Sequence, residues 1–328
     1  MIRTLQVNQP GEVESRFIHT NQQLEKTELR LKPIYGGICG SDVGVYKGKL
    51  GHAKYPVVPG HEVVAEVIEK GVEAAFEVGT KVVIVPNSFC DACENCLKGK
   101  RNICLHKESL GVNTNGVFSE HFIIDAKYVI ALPEGISLQY AALTEPFAVV
   151  VHAFKNITVH EQIKIAIIGC GTEGMLAVSL ADYYNANITV IDVQQEKLVF
   201  IQEQFPNIQV CSPNEVENQQ YDIVIECAGV KSAFEQAIQI VKAGGEIIVI
   251  GFTPEATIPV THIVRNEIKI QGSIIYDFPV DFENSLAILA DPKFKAQHII
   301  SKMYDIEQFK DAYADACSGK YGKVLLKF

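Results

Sequence analysis

Ile163-Lys164-Ile165-Ala166-Ile167-Ile168-Gly169-Cys170-Gly171-Thr172-Glu173-Gly174 is the stretch whose reading decides the fold. Residues 163–168 form a short, mostly apolar run, the pattern of a parallel strand buried on both faces. Residues 175–184 have helical spacing. Between them lies G-x-G-x-x-G. Gly169 makes the tight turn, Gly171 lets a pyrophosphate approach the backbone, and Gly174 lets helix pack on strand. Thr172 and Glu173 open the helix, whose N-terminus then faces the phosphates. A second strand at 188–191 ends at Asp192, about twenty residues beyond the motif, where an acid can hold the adenosine ribose hydroxyls. Asp192 would repel a 2′-phosphate, so NAD is expected over NADP. Lys197, on the next helix, is positioned to reach the same ribose. Further strands are expected at 222–226, 246–250 and 268–271, with a helix at 232–242. The turns Cys227-Ala228-Gly229 and Ile250-Gly251-Phe252 should lie along the cofactor. This alternation describes a doubly wound α/β sheet.

Upstream the character is different. Short strands at 12–18, 26–31, 63–69, 81–85 and within 117–132, separated by many turns, suggest a small β-barrel-like domain. Residues 44–59 read as a loop. Cys90-x2-Cys93-x2-Cys96-x7-Cys104 is the most specific local signal. Four thiolates in one loop can enclose Zn2+ tetrahedrally with no open position, which marks a structural site; an iron–sulfur cluster or four free thiols are the alternatives. A second group is dispersed. Cys39, in Gly37-Ile38-Cys39-Gly40-Ser41-Asp42, offers a thiol beside tight turns. Gly60-His61-Glu62 offers an imidazole and a carboxylate. Glu145 falls in a helix expected from Ser137 to about Lys155, among Ala, Pro, Phe and Val. A carboxylate in such company needs a partner, and a metal would serve; the alternative is a glutamate facing solvent.

The chain has 328 residues, 48% hydrophobic and 21% charged, with a formal charge of −10. That length favours two domains. The acidic balance argues against nucleic acid and anionic membranes as partners. No apolar run is long enough to span a bilayer and the N-terminus has no signal pattern, so a cytoplasmic protein is expected. Nine cysteines, an odd number, do not suggest a disulfide framework.

Together these residues resemble the zinc-containing medium-chain dehydrogenases, and among them the polyol (sorbitol-type) branch. The resemblance rests on 37–42, 60–62, the clustered cysteines, Thr144-Glu145-Pro146 and 169–174, and covers essentially the whole chain. It implies a GroES-like β-barrel catalytic domain (1–150 and 277–328), a Rossmann domain (151–276), and an active site in the cleft between them. It further implies two zinc ions per chain. Cys39 and His61 would hold the catalytic one, with Glu62 as a third ligand, direct or exchanging with water. Glu145 is the remaining candidate ligand of that ion, either direct in place of Glu62 or holding the zinc-bound water or substrate. Cys90, Cys93, Cys96 and Cys104 match the structural site. Ser41 would take the proton of a substrate hydroxyl and pass it outward. The implied reaction is reversible NAD-linked oxidation of a secondary alcohol in a small polyol, by a homo-oligomer, dimer or tetramer.

The chain departs from the pattern at Gly44, where proton-relay alcohol dehydrogenases carry a histidine. Ile275-Tyr276 stands where sorbitol dehydrogenases carry Arg-Tyr, and Ala65 where a glycine is usual. Residues 79–83 and 322–326 are also similar to the alditol-phosphate (ribitol-5-phosphate-type) dehydrogenases, for which Lys47, Lys49, Lys54 and Arg265 are the candidate phosphate contacts. An L-threonine-type dehydrogenase of the same family and a nicotinamide-binding redox regulator without turnover are the other readings.

Overall fold

In a computed structural model, which describes residues 1–19, 22–155, 157–218 and 220–328, the chain divides into two units. In chain order the first segment carries β1 (Ile2–Gln9), β2 (Glu12–Ile18), β3 (Glu28–Ile38), α1 (Gly40–Tyr46), β4 (Glu62–Lys70), β5 (Lys81–Ile84), α2 (Glu94–Leu97), β6 (Phe122–Asp125), β7 (Val129–Ala131), α3 (Leu138–Ala141) and α4 (Thr144–Phe154). There follow β8 (Lys164–Ile168), α5 (Thr172–Tyr183), β9 (Asn187–Ile191), α6 (Gln195–Gln204), β10 (Gln209–Cys211), β11 (Tyr221–Glu226), α7 (Lys231–Ile240), β12 (Val241–Val249), α8 (Val260–Arg265) and β13 (Lys269–Gly272). The chain closes with α9 (Val280–Ala290), β14 (Ile300–Asp305), α10 (Phe309–Ser318) and β15 (Lys323–Lys327).

Unit 1 comprises Met1–Glu145, Asp277–Asp291 and Ile300–Phe328. Its main sheet has the order β14-β15-β3-β4-β5-β7, with β6 also pairing β3, and β1 and β2 form a separate hairpin. Leu29, Leu31, Val63, Ala65, Val67, Val82, Ile84, Val324 and Leu326 fill one core, alternating along their strands, while Val64, Val83 and Leu325 on the opposite face are buried as well. β3 runs through Gly36 and Gly37 to Ile38, well beyond the 26–31 expected, because it has partners on both sides: Gly37 pairs with Glu62 on β4 and with Leu325 on β15.

Two local expectations are corrected. Gly44 to Tyr46, read as loop, belong to α1; the Asp42 carboxylate accepts from the backbone N–H of Cys39 at 2.9 Å and so caps that helix. The single helix expected over 137–155 is broken. Pro146 cannot sit in a helix interior, where its ring would meet the carbonyl of Ala142, but is tolerated in the first turn of α4. At the break the Thr144 hydroxyl donates to the Ala141 carbonyl at 2.7 Å.

Unit 2 comprises Pro146–Tyr276 and Pro292–Ile299. Its sheet runs β10-β9-β8-β11-β12-β13, all parallel, which is the 3-2-1-4-5-6 order of a dinucleotide fold. Ile165, Ala166 and Ile167 on the central β8 are wholly buried. The short segment Pro292–Ile299 differs from a division that keeps 277–328 together. Phe294 packs on Phe147 and Tyr183, at 4.7 and 6.2 Å between ring centroids, and Lys295 pairs with Asp182 at 2.8 Å. Among the described residues no helix is long and apolar enough to cross a membrane.

Candidate metal and cofactor sites

β3 delivers Cys39 at the start of α1, and Gly60 turns the chain into β4 so that His61 and Glu62 lie beside it. Ligand atoms of Cys39, His61 and Glu62 all fall within 4.8 Å of one another. Gly60 has φ +90°, and a side chain there would overlap the ring of Phe118, so only glycine suits this turn. Asp42 is fully buried and organises the group. Its Oδ1 accepts from Gly60 N–H at 2.9 Å and lies 3.6 Å from His61 Nδ1. A carboxylate thus lies behind the imidazole, on the side where metal-bound histidines carry their supporting acceptor, although Nδ1 makes no hydrogen bond among the described residues. On its other side, His61 Nε2 stands 3.2 Å from Ser41 Oγ.

Charge is unevenly shared here. Burial alone would pull the His61 pKa down, but the Asp42 carboxylate, through its charge and hydrogen bonding, raises it well above the usual histidine value. Burial raises Asp42, and the charge of His61 together with hydrogen bonding, including that from the Cys39 and Gly60 amides, more than offsets it, leaving the carboxyl lowered. The Cys39 thiol is pushed up, first by burial and then by the charge of Glu62.

Glu62 is also wholly buried, and its charge is answered by a residue far along the chain. Lys323 Nζ on β15 donates to Oε1 and Oε2 of Glu62, each at 2.7 Å. The pair crosses β3 at Gly37. A side chain at that position would overlap Glu62 Oε2 and lie 3.1 Å from Lys323 Cδ. Glu145, in the first turn of α4 and buried, stands outside the three-residue cluster.

The four clustered cysteines form the second group. Three Sγ–Sγ separations are 3.6, 4.0 and 4.0 Å. A tetrahedron with Zn–S bonds of ~2.3 Å has edges of about 3.8 Å, so these thiols fit Zn2+. Backbone N–H groups point at the sulfurs: Cys93 to Cys90 Sγ at 3.2 Å, and Cys90 and His106 to Cys104 Sγ at 3.4 Å. Amides of Cys96 and Leu105 lower Cys93 to about 6, whereas burial, with hydrogen bonds from Cys93 and Cys104, pushes Cys96 up to about 12. Arg101 covers the ring of Phe89 at 4.4 Å and pairs with Asp91 at 2.8 Å, bracing the lobe.

In unit 2 the fingerprint residues meet their physical requirements. Gly169 has φ +97°; a side chain at Gly174 would overlap the Gly169 carbonyl, and one at Gly171 would meet nothing within 4 Å. That last opening lies at the start of α5, where the fingerprint reading expects a pyrophosphate. Asp192 directly follows β9 and is buried; it accepts from Cys170 N–H at 2.6 Å and from Gln194 N–H at 2.8 Å. Lys197 lies half-buried on α6, Thr172 and Glu173 open α5, and Ala228 and Gly251 follow the ends of β11 and β12.

Sequence reasoning assigned no role to Asp42 or Lys323. Asp42 carried a signal, its place three residues after the helix-capping Cys39. So did Lys323, a lysine entering an apolar strand, where a charged group needs a partner.

This combination of a parallel dinucleotide fold with one open and one closed cluster of metal-binding side chains defines a metal-containing nicotinamide-linked oxidoreductase. Residues 25–134 match the model of the alcohol dehydrogenase GroES-like domain, and residues 174–291 that of the zinc-binding dehydrogenases. The chain is 28% identical over 316 residues to a sorbitol dehydrogenase of Halalkalibacterium halodurans, covering 92% of each. It is 29% identical over 318 residues to an L-threonine 3-dehydrogenase of Pseudoalteromonas translucida, again covering 92% of each. The structure of galactitol-1-phosphate dehydrogenase from Escherichia coli superposes with a TM-score of 0.91 at 27% identity, covering 99% of this chain and 100% of that one. The chain belongs to the zinc-containing medium-chain alcohol and polyol dehydrogenases, with a GroES-like fold and a Rossmann fold.

Proposed function

We propose that the protein reversibly oxidises a secondary alcohol of a small polyol to a ketone, with NAD as the electron acceptor. The convergence of Cys39, His61 and Glu62 within 4.8 Å carries this reading. A pure nucleotide binder has no use for three such ligands, which disfavours a regulator without turnover. When bound, zinc supplies Lewis acidity toward an alcohol oxygen, and NAD supplies the two-electron acceptor. Cys39, His61 and Glu62 are the residues that would hold the catalytic ion. Asp42 keeps the imidazole oriented. Ser41, whose hydroxyl lies beside His61, accepts the hydrogen bond of the substrate hydroxyl and passes its proton outward. Glu145 is proposed to act on the substrate side, as an acceptor for water or substrate hydroxyl, outside the direct ligands. Cys90, Cys93, Cys96 and Cys104 would hold the structural zinc.

NAD is favoured over NADP because Asp192, immediately after β9, is the acid expected to take the ribose hydroxyls. A polyol is favoured over a sugar-alcohol phosphate. Of the candidate phosphate contacts, Lys47 donates to the Cys317 carbonyl at 2.9 Å, and Lys49, Lys54 and Arg265 are exposed side chains, as solvated surface charges are. We further read the protein as a cytoplasmic homo-oligomer, a dimer or tetramer.

The test joins metal analysis to an assay of NAD reduction with polyols, vicinal diols, L-threonine and sugar-alcohol phosphates. About two zinc ions per chain and turnover of a polyol are expected. Activity unchanged after complete zinc removal would sink the reading, and preferred turnover of threonine or a phosphate ester would replace the substrate class.

A further inference from the structure

Glu226 ends β11 in the middle of the unit 2 sheet, between β8 and β12. It is wholly buried. Its Oε1 accepts two hydrogen bonds at 2.8 Å, from the N–H groups of Ala228 and Gly229. Its backbone carbonyl accepts two more, from Ile250 N–H at 2.9 Å and Gly251 N–H at 3.0 Å. One residue therefore fastens both turns that follow β11 and β12. Glycines close around it. A side chain at Gly251 would lie 2.5 Å from Glu226 Oε2, and one at Gly169 would lie 2.8 Å from Ala228 N. The second oxygen, Oε2, is buried and has no hydrogen-bond partner among the described residues. Burial raises the carboxyl pKa against the opposing pull of the two amides. An uncharged acid keeps Oε1 as an acceptor without leaving an unpaired charge in the interior.

We propose that Glu226 is a positioning residue for the dinucleotide: its carboxyl oxygen Oε1 fixes the 227–229 turn against the fingerprint turn, while its backbone carbonyl ties in residues 250–251, so that the three present one preformed surface to the cofactor. This rests on the reading of residues 169–174 as a nicotinamide-dinucleotide site. It assigns the work to the acceptor Oε1, not to a negative charge and not to the bulk of the side chain. Three replacements separate those possibilities. Glu226→Gln keeps the acceptor and cannot ionise. Glu226→Leu keeps the bulk without the acceptor. Glu226→Asp keeps a carboxyl but withdraws it from the two amides.

The experiment is titration of the zinc-loaded full chain with NADH, followed by fluorescence, with zinc content and melting temperature measured on the same samples. Glu226→Gln should bind NADH within about twofold of wild type. Glu226→Leu and Glu226→Asp should bind about tenfold or more weakly, as two lost hydrogen bonds imply, with zinc content unchanged. Wild-type affinity in Glu226→Leu would make the carboxyl mere filling. A glutamine variant as weak as the leucine one would assign the effect to charge. Either result overturns the proposal. Should the leucine variant fail to fold, the aspartate variant decides, and binding at wild-type strength overturns the proposal equally. Failure of the wild-type chain to bind NADH would instead refute the dinucleotide reading beneath it.

Discussion

Lys323 and Glu62 meet across a strand that carries no side chain at the crossing. Both are buried, both Glu62 oxygens accept from the ammonium at 2.7 Å, and Gly37 leaves the room. The lysine cancels the charge of one candidate metal ligand without joining the ligand set. Removing it strands a carboxylate in the interior, which costs more than the pair itself contributes. Lys323→Met is expected to lower stability by about 3–5 kcal/mol, and to weaken zinc retention at Cys39 and His61. Urea denaturation with zinc analysis checks this; a variant as stable as wild type would falsify it. Gly37→Ala, which drives a methyl group into Glu62, should cost about 1–3 kcal/mol by overpacking.

Asp42 holds the Cys39 and Gly60 amides and backs His61. Asp42→Asn keeps the volume but turns one acceptor into a donor. It should reduce zinc affinity at this site by roughly 10–100-fold while leaving the four-cysteine cluster loaded. Competition with a chromophoric chelator would reveal it as the loss of one tightly held ion per chain.

In the metal-free chain Cys39 and His61 both have raised pKa values, so both hold protons at neutral pH. Zinc must displace them, and affinity at this site therefore climbs with pH and falls on acidification. Calorimetry in buffers of different ionisation enthalpy should register about one more proton released per ion bound at this site by wild type than by Cys39→Ser. Equal release from the two proteins contradicts the assignment.

Asp192→Ala removes the carboxylate proposed to read the ribose. Affinity for NAD should drop by about tenfold or more, as expected for a charged acceptor, while NADP binding changes less or improves. Parallel titrations with both nucleotides test this. An unchanged NAD-to-NADP ratio would leave Asp192 as a purely structural group holding the Cys170 and Gln194 amides.

Much of this was legible because the chemistry is local. The fingerprint at 169–174 and the cysteines at 90–104 place interacting atoms within a few residues of each other, and spacing alone encodes their geometry. α1 was less legible, since Gly40 and Gly44 argue for a loop, and the capping carboxylate of Asp42 outweighs them. The break at 142–143 was visible in Pro146 but was hidden by the apolar run around it. Lys323 was not readable as a site residue. Its partner lies 261 positions away, and only the antiparallel pairing of β15 with β3 brings them together.

That separation sets a schedule for synthesis. At roughly 5–20 residues per second, Glu62 waits about 13–50 s on the ribosome before Lys323 exists. Until then the β3–β4 ladder can form, but burying its carboxylate has no compensating cation. Docking of β15 is thus the step that supplies the cation, and a nascent chain stalled a few residues short of it would carry all three candidate ligands with the Glu62 charge still uncompensated by Lys323.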